Sequence, residues 1–275
     1  MPLSFRERLM KNGASDVTVI TGGSSGLGLA MAQNLAKRGH RLVLLARAPE
    51  HLEAALASLR QDSPSAIGLS CDVRSHEDLE AAATTIRDTF GQIDFLILNA
   101  GVVHVNRLQD LSVTEIREIL ETDLMGVILS AHALTPLLAP GGRILIVSSG
   151  FGLMGAAGYS VYCGAKAGVI NFAAAFRREL LVRKIRLYVT CPSDIDTPQY
   201  RAEQTSLPEW MSLAGARGRP MPVDSAAEKI LRKCTGGRFL ILIHFEVRVL
   251  GWANRLLPIR WTNWLLDRLF PRPTT

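Results

Sequence analysis

Short, nearly continuous apolar runs alternate with longer segments of helical periodicity from residue 17 to about 243 of this chain. VTVIT (17–21), RLVLLA (41–46), AIGLSC (66–71), DFLIL (94–98), RILIVS (143–148), IRLYVTC (185–191) and FLILI (239–243) read as strands. Apolar on both faces rather than alternating, they suit parallel strands covered on each side. Between them, helices are predicted over 26–38, 49–60, 76–90, 112–138, 159–183 and 224–235. Gly39 and Gly91 suit helix ends, and Asp224 an N-cap. The alternation predicts an α/β fold: one doubly wound domain with a seven-stranded parallel sheet, right-handed crossovers and a helical C-terminal tail. Residues 1–243 form the nucleotide-binding and catalytic domain in this reading. Residues 244–275 form an amphipathic tail that belongs to that domain or faces a membrane.

One stretch breaks the rhythm. From Ser193 to Pro222 the chain is proline-rich and carries no convincing strand. It follows the carboxyl end of a strand, where open α/β sheets bind ligands, and is read as a substrate-covering loop.

With 275 residues, 48% of them hydrophobic and 20% charged, the chain is long enough for a sizeable core. The net charge of +6 raises the question of nucleic acid. However, six arginines against Glu246 and Asp267 from Arg238 onward place most of the excess in the tail. No basic groove interleaved with aromatics or DNA-binding motif accompanies it, so no nucleic-acid partner is expected. Cys71, Cys163, Cys191 and Cys234 lack metal-ligand spacing, so reduced thiols and no metal are expected. MPLSFRERLMKNGAS has no apolar leader core, and no run is long enough to span a bilayer; the expected location is cytoplasmic.

Three stretches carry candidate chemistry. TGGSSGLG (Thr21–Gly28) joins the first strand to the first helix, where glycines admit a pyrophosphate and the helix N-terminus supplies amide donors. It misses the G-x-G-x-x-G spacing, because Met31 takes the last glycine position. At the end of the second strand an acid would hold the ribose hydroxyls of NAD, but Arg47 stands there and suits a 2′-phosphate, favouring NADPH. YCGAK places Tyr162 and Lys166 one helical turn apart on one face. A phenol with a solution pKa of about 10 is a poor acid at neutral pH, and a neighbouring ammonium would lower that value.

Together with CDV at 71–73, NAG at 99–101 and Ser149 thirteen residues before Tyr162, these stretches make the chain resemble the short-chain dehydrogenase/reductase family over nearly its whole length. The resemblance implies a nucleotide site of Gly22, Ser24, Ser25, Gly26, Leu27, Gly28, Arg47, Asp72, Val73, Asn99, Ala100 and Gly101. It adds Pro192, Ile195 and Thr197 after the sixth strand. It further implies that Tyr162 protonates a carbonyl oxygen, that Lys166 tunes Tyr162 and holds the nicotinamide ribose, and that Ser149 donates to the same oxygen. Ser148 is one residue off the required spacing, and Tyr159 lacks a lysine four residues on. Two positions depart from the family pattern. At the fourth catalytic position Asp123 replaces the usual asparagine, a carboxylate that accepts where an amide also donates; it either holds a relay water leading to Lys166 or pairs with that lysine and weakens its effect on Tyr162. Ser193 replaces a glycine after Pro192.

CPSDIDTPQY with RAEQ, and LLARAPEHLEAA, are similar to segments of 3-ketodihydrosphingosine reductases, which reduce a long-chain amino ketone. Asp194 and Asp196 are the residues that could bind its ammonium; equally, either could cap local amides. Other bulky ketones, such as a 3-oxoacyl thioester or a steroid, and a non-catalytic nucleotide sensor remain as alternatives. In the tail, Trp252, Trp261 and Trp264 are interleaved with Arg248, Arg255, Arg260 and Arg268. This pattern suits either a membrane headgroup region or packing on the domain or on a second copy. The family resemblance implies homo-oligomers paired through the helices near 112–138 and 159–183.

Overall fold

The computed structural model describes residues 16–212 and 219–269. The leader reading of residues 1–15, part of the covering loop and the last six residues lie outside that range. Seven parallel strands form the main sheet: β1 (Val17–Thr21), β2 (Arg41–Ala46), β3 (Ile67–Ser70), β4 (Ile93–Leu98), β5 (Leu138–Val147), β6 (Arg186–Thr190) and β9 (Leu240–Ile241). Their order is β3-β2-β1-β4-β5-β6-β9. A second, two-stranded sheet pairs β7 (Ile195–Asp196) with β8 (Met221–Pro222). The strand order reverses between β1 and β4, and that switch point opens a crevice at their carboxyl ends.

The central strands β1, β2 and β4 bury both faces, which is why their sequences are largely apolar, while edge strand β3 is only partly covered. On one face Val19, Val43, Leu96, Ile144 and Val189 pack under α3 (His76–Phe90), α5 (Gly126–Leu134) and α6 (Ser160–Glu179). On the other, Ile20, Leu44, Ile97, Leu145 and Tyr188 pack under α1 (Gly26–Ala36), α2 (Pro49–Leu59) and α9 (Val223–Lys233). Each such side chain contributes about 1.5–3 kcal/mol on burial. The same burial fixes the strand ends that carry the site.

The single helix expected over 112–138 is broken. The α4 helix (Val113–Leu120) starts on a capping box made by Ser112 and Glu115, then widens into a π turn over Glu121–Met125 before α5. Pro136 lies in a 3-10 turn over Thr135–Leu137, and Leu138 already belongs to β5. Asp224 is not an N-cap. Pro222 holds that place, and Asp224 sits in the first turn, where its charge still favours the helix dipole. The covering loop has more structure than its prolines suggest: β7, α7 (Pro198–Thr205), α8 (Glu209–Ser212) and β8. The tail holds α10 (Phe245–Leu256) and α11 (Ile259–Leu269). Its start docks on the domain, because Val247 is buried in the core and the Ser193 amide donates to His244 Nδ1 (3.1 Å). No helix among the described residues is long and apolar enough to cross a membrane.

Candidate active site

The floor of the crevice is a locked glycine turn. Thr21 Oγ1 accepts from the amides of Asn99 (3.0 Å) and Ala100 (3.2 Å), while Asn99 Nδ2 donates to the carbonyls of Thr21 and Gly22. Gly22 has φ +63°, and a Cβ there would lie 2.9 Å from Ala100 Cα. At Gly28 a Cβ would meet the Gly22 carbonyl oxygen at 2.2 Å, so α1 approaches the turn as closely as backbone allows. The first turn of α1 has no acidic side chain, and its N-cap, Ser25, makes no side-chain cap. Its amides are thereby left to an anion, the arrangement a dinucleotide pyrophosphate requires.

A cavity of about 930 Å³ runs from this turn to the catalytic candidates. Gly22, Ser25, Gly26, Leu27, Asn99, Ala100 and Gly101 line one end; Pro192, Ile195 and Thr197 line the facing wall. Thr197 caps α7 by accepting from the Tyr200 amide (3.1 Å). Five expected cofactor residues are not on the wall. Gly28 supports it from beneath and Ser24 lies beside it, half-buried. Arg47 is exposed at the end of β2, 3.8 Å from Glu118. Asp72 is bound by Arg74 (2.6 Å), whose hydrogen bond holds the carboxyl below its ordinary range. Val73 is buried against Gly126, where a Cβ would come within 2.7 Å of it.

Tyr162 and Lys166 project from one face of α6, with Lys166 Nζ 5.4 Å from the phenol ring centre. Ser149, just beyond β5, lines the cavity with Tyr162; its Oγ accepts from the Phe151 amide (3.2 Å) and its hydroxyl pulls the Tyr162 pKa down. Ser148 turns away and donates to the Lys166 carbonyl (3.0 Å), so it supports α6 instead. Lys166 is only 3% exposed, and its ammonium lies 2.9 Å from Asp123 Oδ2. Asp123 is fully buried, and its Oδ1 accepts from the Val102 amide at 2.7 Å. Burial pushes the Asp123 carboxyl up, against the pull of Lys166. Lys166 itself moves up, because Asp123 and Tyr162 outweigh its desolvation.

The expectation that Lys166 brings the phenol below its solution value needs correction. Burial pushes Tyr162 up to about 12; Lys166 pulls it down, and Asp123 pushes it up again. The lysine acts in the expected direction, but a shielded hydroxyl beside a carboxylate outweighs it.

Beyond Tyr162 the cavity changes character. Phe151 packs edge-on to Tyr162 and close to Tyr159, with ring centres 6.4 and 4.5 Å apart. Tyr159 is buried, and its hydroxyl donates to Glu203. Asp194, Glu203, Glu246, His244 and Arg219 line this end with Phe151 and Met154. Asp194 is therefore where a substrate group would reach it. Asp196 is not on the wall, and its carboxylate is held by Arg201 (2.7 Å). Glu203 fell within the RAEQ stretch but was not singled out, and His244 and Glu246 had no signal in the sequence, since the fold brings them in from α7 and the tail.

Two hydroxyls converging on one point of a cavity, one of them a phenol backed by an ammonium, can donate to an oxygen that gains charge. The sequence model of the family described as short chain dehydrogenase matches residues 16–207. A 3-oxoacyl-[acyl-carrier-protein] reductase of Bos taurus is 33% identical over 217 residues, 78% of this chain and 90% of that protein. A 3-dehydrosphinganine reductase of Arabidopsis thaliana is 31% identical over 252 residues, 90% of this chain and 75% of that protein. Among solved structures, an actinorhodin polyketide ketoreductase with NADPH superposes with a TM-score of 0.77 at 26% identity, covering 86% of this chain and 98% of that one. A short-chain dehydrogenase of Burkholderia cenocepacia in complex with NADP gives 0.75 at 25%, covering 85% and 98%.

Proposed function

The chain belongs to the short-chain dehydrogenase family, and on that premise we propose that it is an NADPH-dependent ketoreductase whose substrate is 3-ketodihydrosphingosine or a close long-chain amino ketone. The observation that carries the reading is the convergence of Ser149 and Tyr162 at one end of a cavity whose other end is a pyrophosphate cradle. When bound, the dinucleotide supplies the hydride. The chain supplies the rest. Ser149 and Tyr162 orient the carbonyl by hydrogen bonds to its oxygen, and Tyr162 gives its proton to that oxygen as the carbon is reduced. Lys166 stabilises the phenolate left behind and binds the nicotinamide ribose; the amides of α1 hold the pyrophosphate. A ketoreductase bound to NADPH and a short-chain dehydrogenase bound to NADP among the structural relatives, and Arg47 at the end of β2, support the phosphorylated cofactor.

The amino ketone is favoured by the balance of charge on the far wall, three carboxylates against the Arg219 guanidinium. Asp194, Glu203 and Glu246 face the space where an ammonium beside the reacting carbonyl would sit. The 3-oxoacyl reductase relatives support a second reading, a 3-oxoacyl thioester. NADPH oxidation measured with 3-ketodihydrosphingosine and with an acetoacetyl thioester separates the two. The amino ketone is expected to have the higher kcat/KM by about tenfold or more, the equivalent of one ion pair. The reverse order assigns the thioester; no turnover on either favours a nucleotide sensor.

The lipid reading extends to the surface. Phe245, Val249, Trp252 and Leu256 form an exposed stripe along α10, and Trp261 and Trp264 are exposed on α11. Arg268 stacks on Trp264 and Arg260 lies near Trp261. Apolar side chains edged by arginine suit an anionic bilayer surface, and we assign this stripe to peripheral membrane contact. Homo-oligomers would use the face of α4 and α6, where Val113 and Leu120 on α4 and Leu181 and Val182 in the turn after α6 are exposed.

A further inference from the structure

The Asp123–Lys166 pair has a consequence for the pH range in which the site works. We propose that Asp123 is a positioning residue that sets the pH range of the reaction. By pairing with Lys166 it cancels much of the ammonium's field at the Tyr162 oxygen. The phenol then stays protonated to a higher pH than beside an unpaired ammonium, so the site can deliver that proton over a wider alkaline range, as a weaker acid. The proposal rests on the ketoreductase reading for its meaning, but the test below does not depend on the substrate.

The geometry leaves Asp123 little freedom. It sits in the π turn between α4 and α5, a widening of the helix that recurs at functional sites. One carboxylate oxygen is fixed by the Val102 amide and the other lies 2.9 Å from Lys166 Nζ. Gly101 makes room for the pair, since a Cβ there would lie 3.2 Å from both Asp123 Oδ2 and Lys166 Nζ. Both side chains are out of solvent, so water does not screen either charge. An ammonium alone would act on the phenol as a full positive charge. Paired at this distance it acts as a dipole, whose field falls off faster.

The other groups that face Tyr162 do not restore the missing charge. Glu203 on α7 is a carboxylate and pushes the phenol in the same direction as Asp123; Ser149 is neutral and pulls it down. Cys191, after β6, faces Lys166, and burial pushes its thiol up to about 12, so it stays neutral. Glu118 on α4 faces Asp123 and adds a further negative charge. Among the described residues Lys166 is thus the cation that acts on the phenol, and Asp123 decides how much of it is felt. The asparagine that the family pattern places at this position would leave the ammonium unpaired.

The test is a pH titration of tyrosinate absorbance. The chain has four tyrosines, so Tyr162 is isolated by subtracting the titration of Y162F from that of the parent. For the variant it is isolated by subtracting D123N/Y162F from D123N. D123N keeps the shape and the acceptor for the Val102 amide while removing the charge. The Tyr162 ionisation is expected to fall by about one unit or more in D123N. D123A, which removes the charge without aiming amide hydrogens at Lys166, is expected to shift it the same way. NADPH binding, read by fluorescence, establishes that each variant is folded. A folded D123N or D123A with Tyr162 ionising where the parent does overturns the proposal. If the site proved not to reduce ketones, the titration would still report the shift.

Discussion

Arg47 illustrates what one residue decides and how its neighbours limit it. The guanidinium is exposed at the end of β2 and only loosely paired with Glu118, 3.8 Å away, which also bonds to His104 at 2.9 Å. An exposed pair this long contributes little, so a 2′-phosphate would readily displace it. R47A is expected to raise the KM for NADPH about tenfold or more while leaving that for NADH nearly unchanged. Equal effects on both cofactors would remove the phosphate assignment. Tyr162, Lys166 and Ser149 were legible in the sequence because their relation is local: one helical turn, and a fixed interval from the strand end. Asp123 was legible as a departure from a pattern, with pairing to Lys166 as one of two readings; the choice between them was not, since the two meet across separate elements. Asp194 and Asp196 looked alike on paper. Backbone direction separates them, turning one to the cavity and the other to Arg201.

Elements were read well where burial is uniform and poorly where a single polar contact redirects the chain. All seven main-sheet strands appear where continuous apolar runs place them, though the last shrinks to Leu240–Ile241. The long helix around Asp123 kept its apolar periodicity, so nothing in the pattern announced the π turn. The short β7–β8 pair in the covering loop was hidden by prolines, because Pro222 can sit in a two-residue edge strand. The tail divides in a similar way. Val247 faces inward and joins the core, while Phe245 (76% exposed) and Trp252 (63%) face outward. The double variant F245S/W252S is expected to lose binding to vesicles containing phosphatidylserine. Its thermal stability should stay within about 0.5 kcal/mol of the parent, as for exposed positions. Unchanged vesicle binding would contradict the membrane assignment, and a large loss of stability would make the stripe a packing surface.

At the scale of the whole molecule, the sheet order explains why residues so far apart in sequence share one cavity. The switch between β1 and β4 opens the crevice, β5 and α6 bring Ser149, Tyr162 and Lys166 to it, and the segment after β6 closes over it. Strand–helix alternation made this architecture legible, because parallel strands need crossovers and crossovers set the handedness. The far wall was not legible, since α7 and the tail reach it through long-range packing alone. The account stands on Tyr162 as the proton donor, and Y162F tests it most directly. NADPH oxidation in the presence of the ketone is expected to fall by about 10²–10⁴-fold, the usual worth of a general acid, while the NADPH dissociation constant stays within about twofold. Turnover persisting near the parent rate in a variant that still binds NADPH would contradict it.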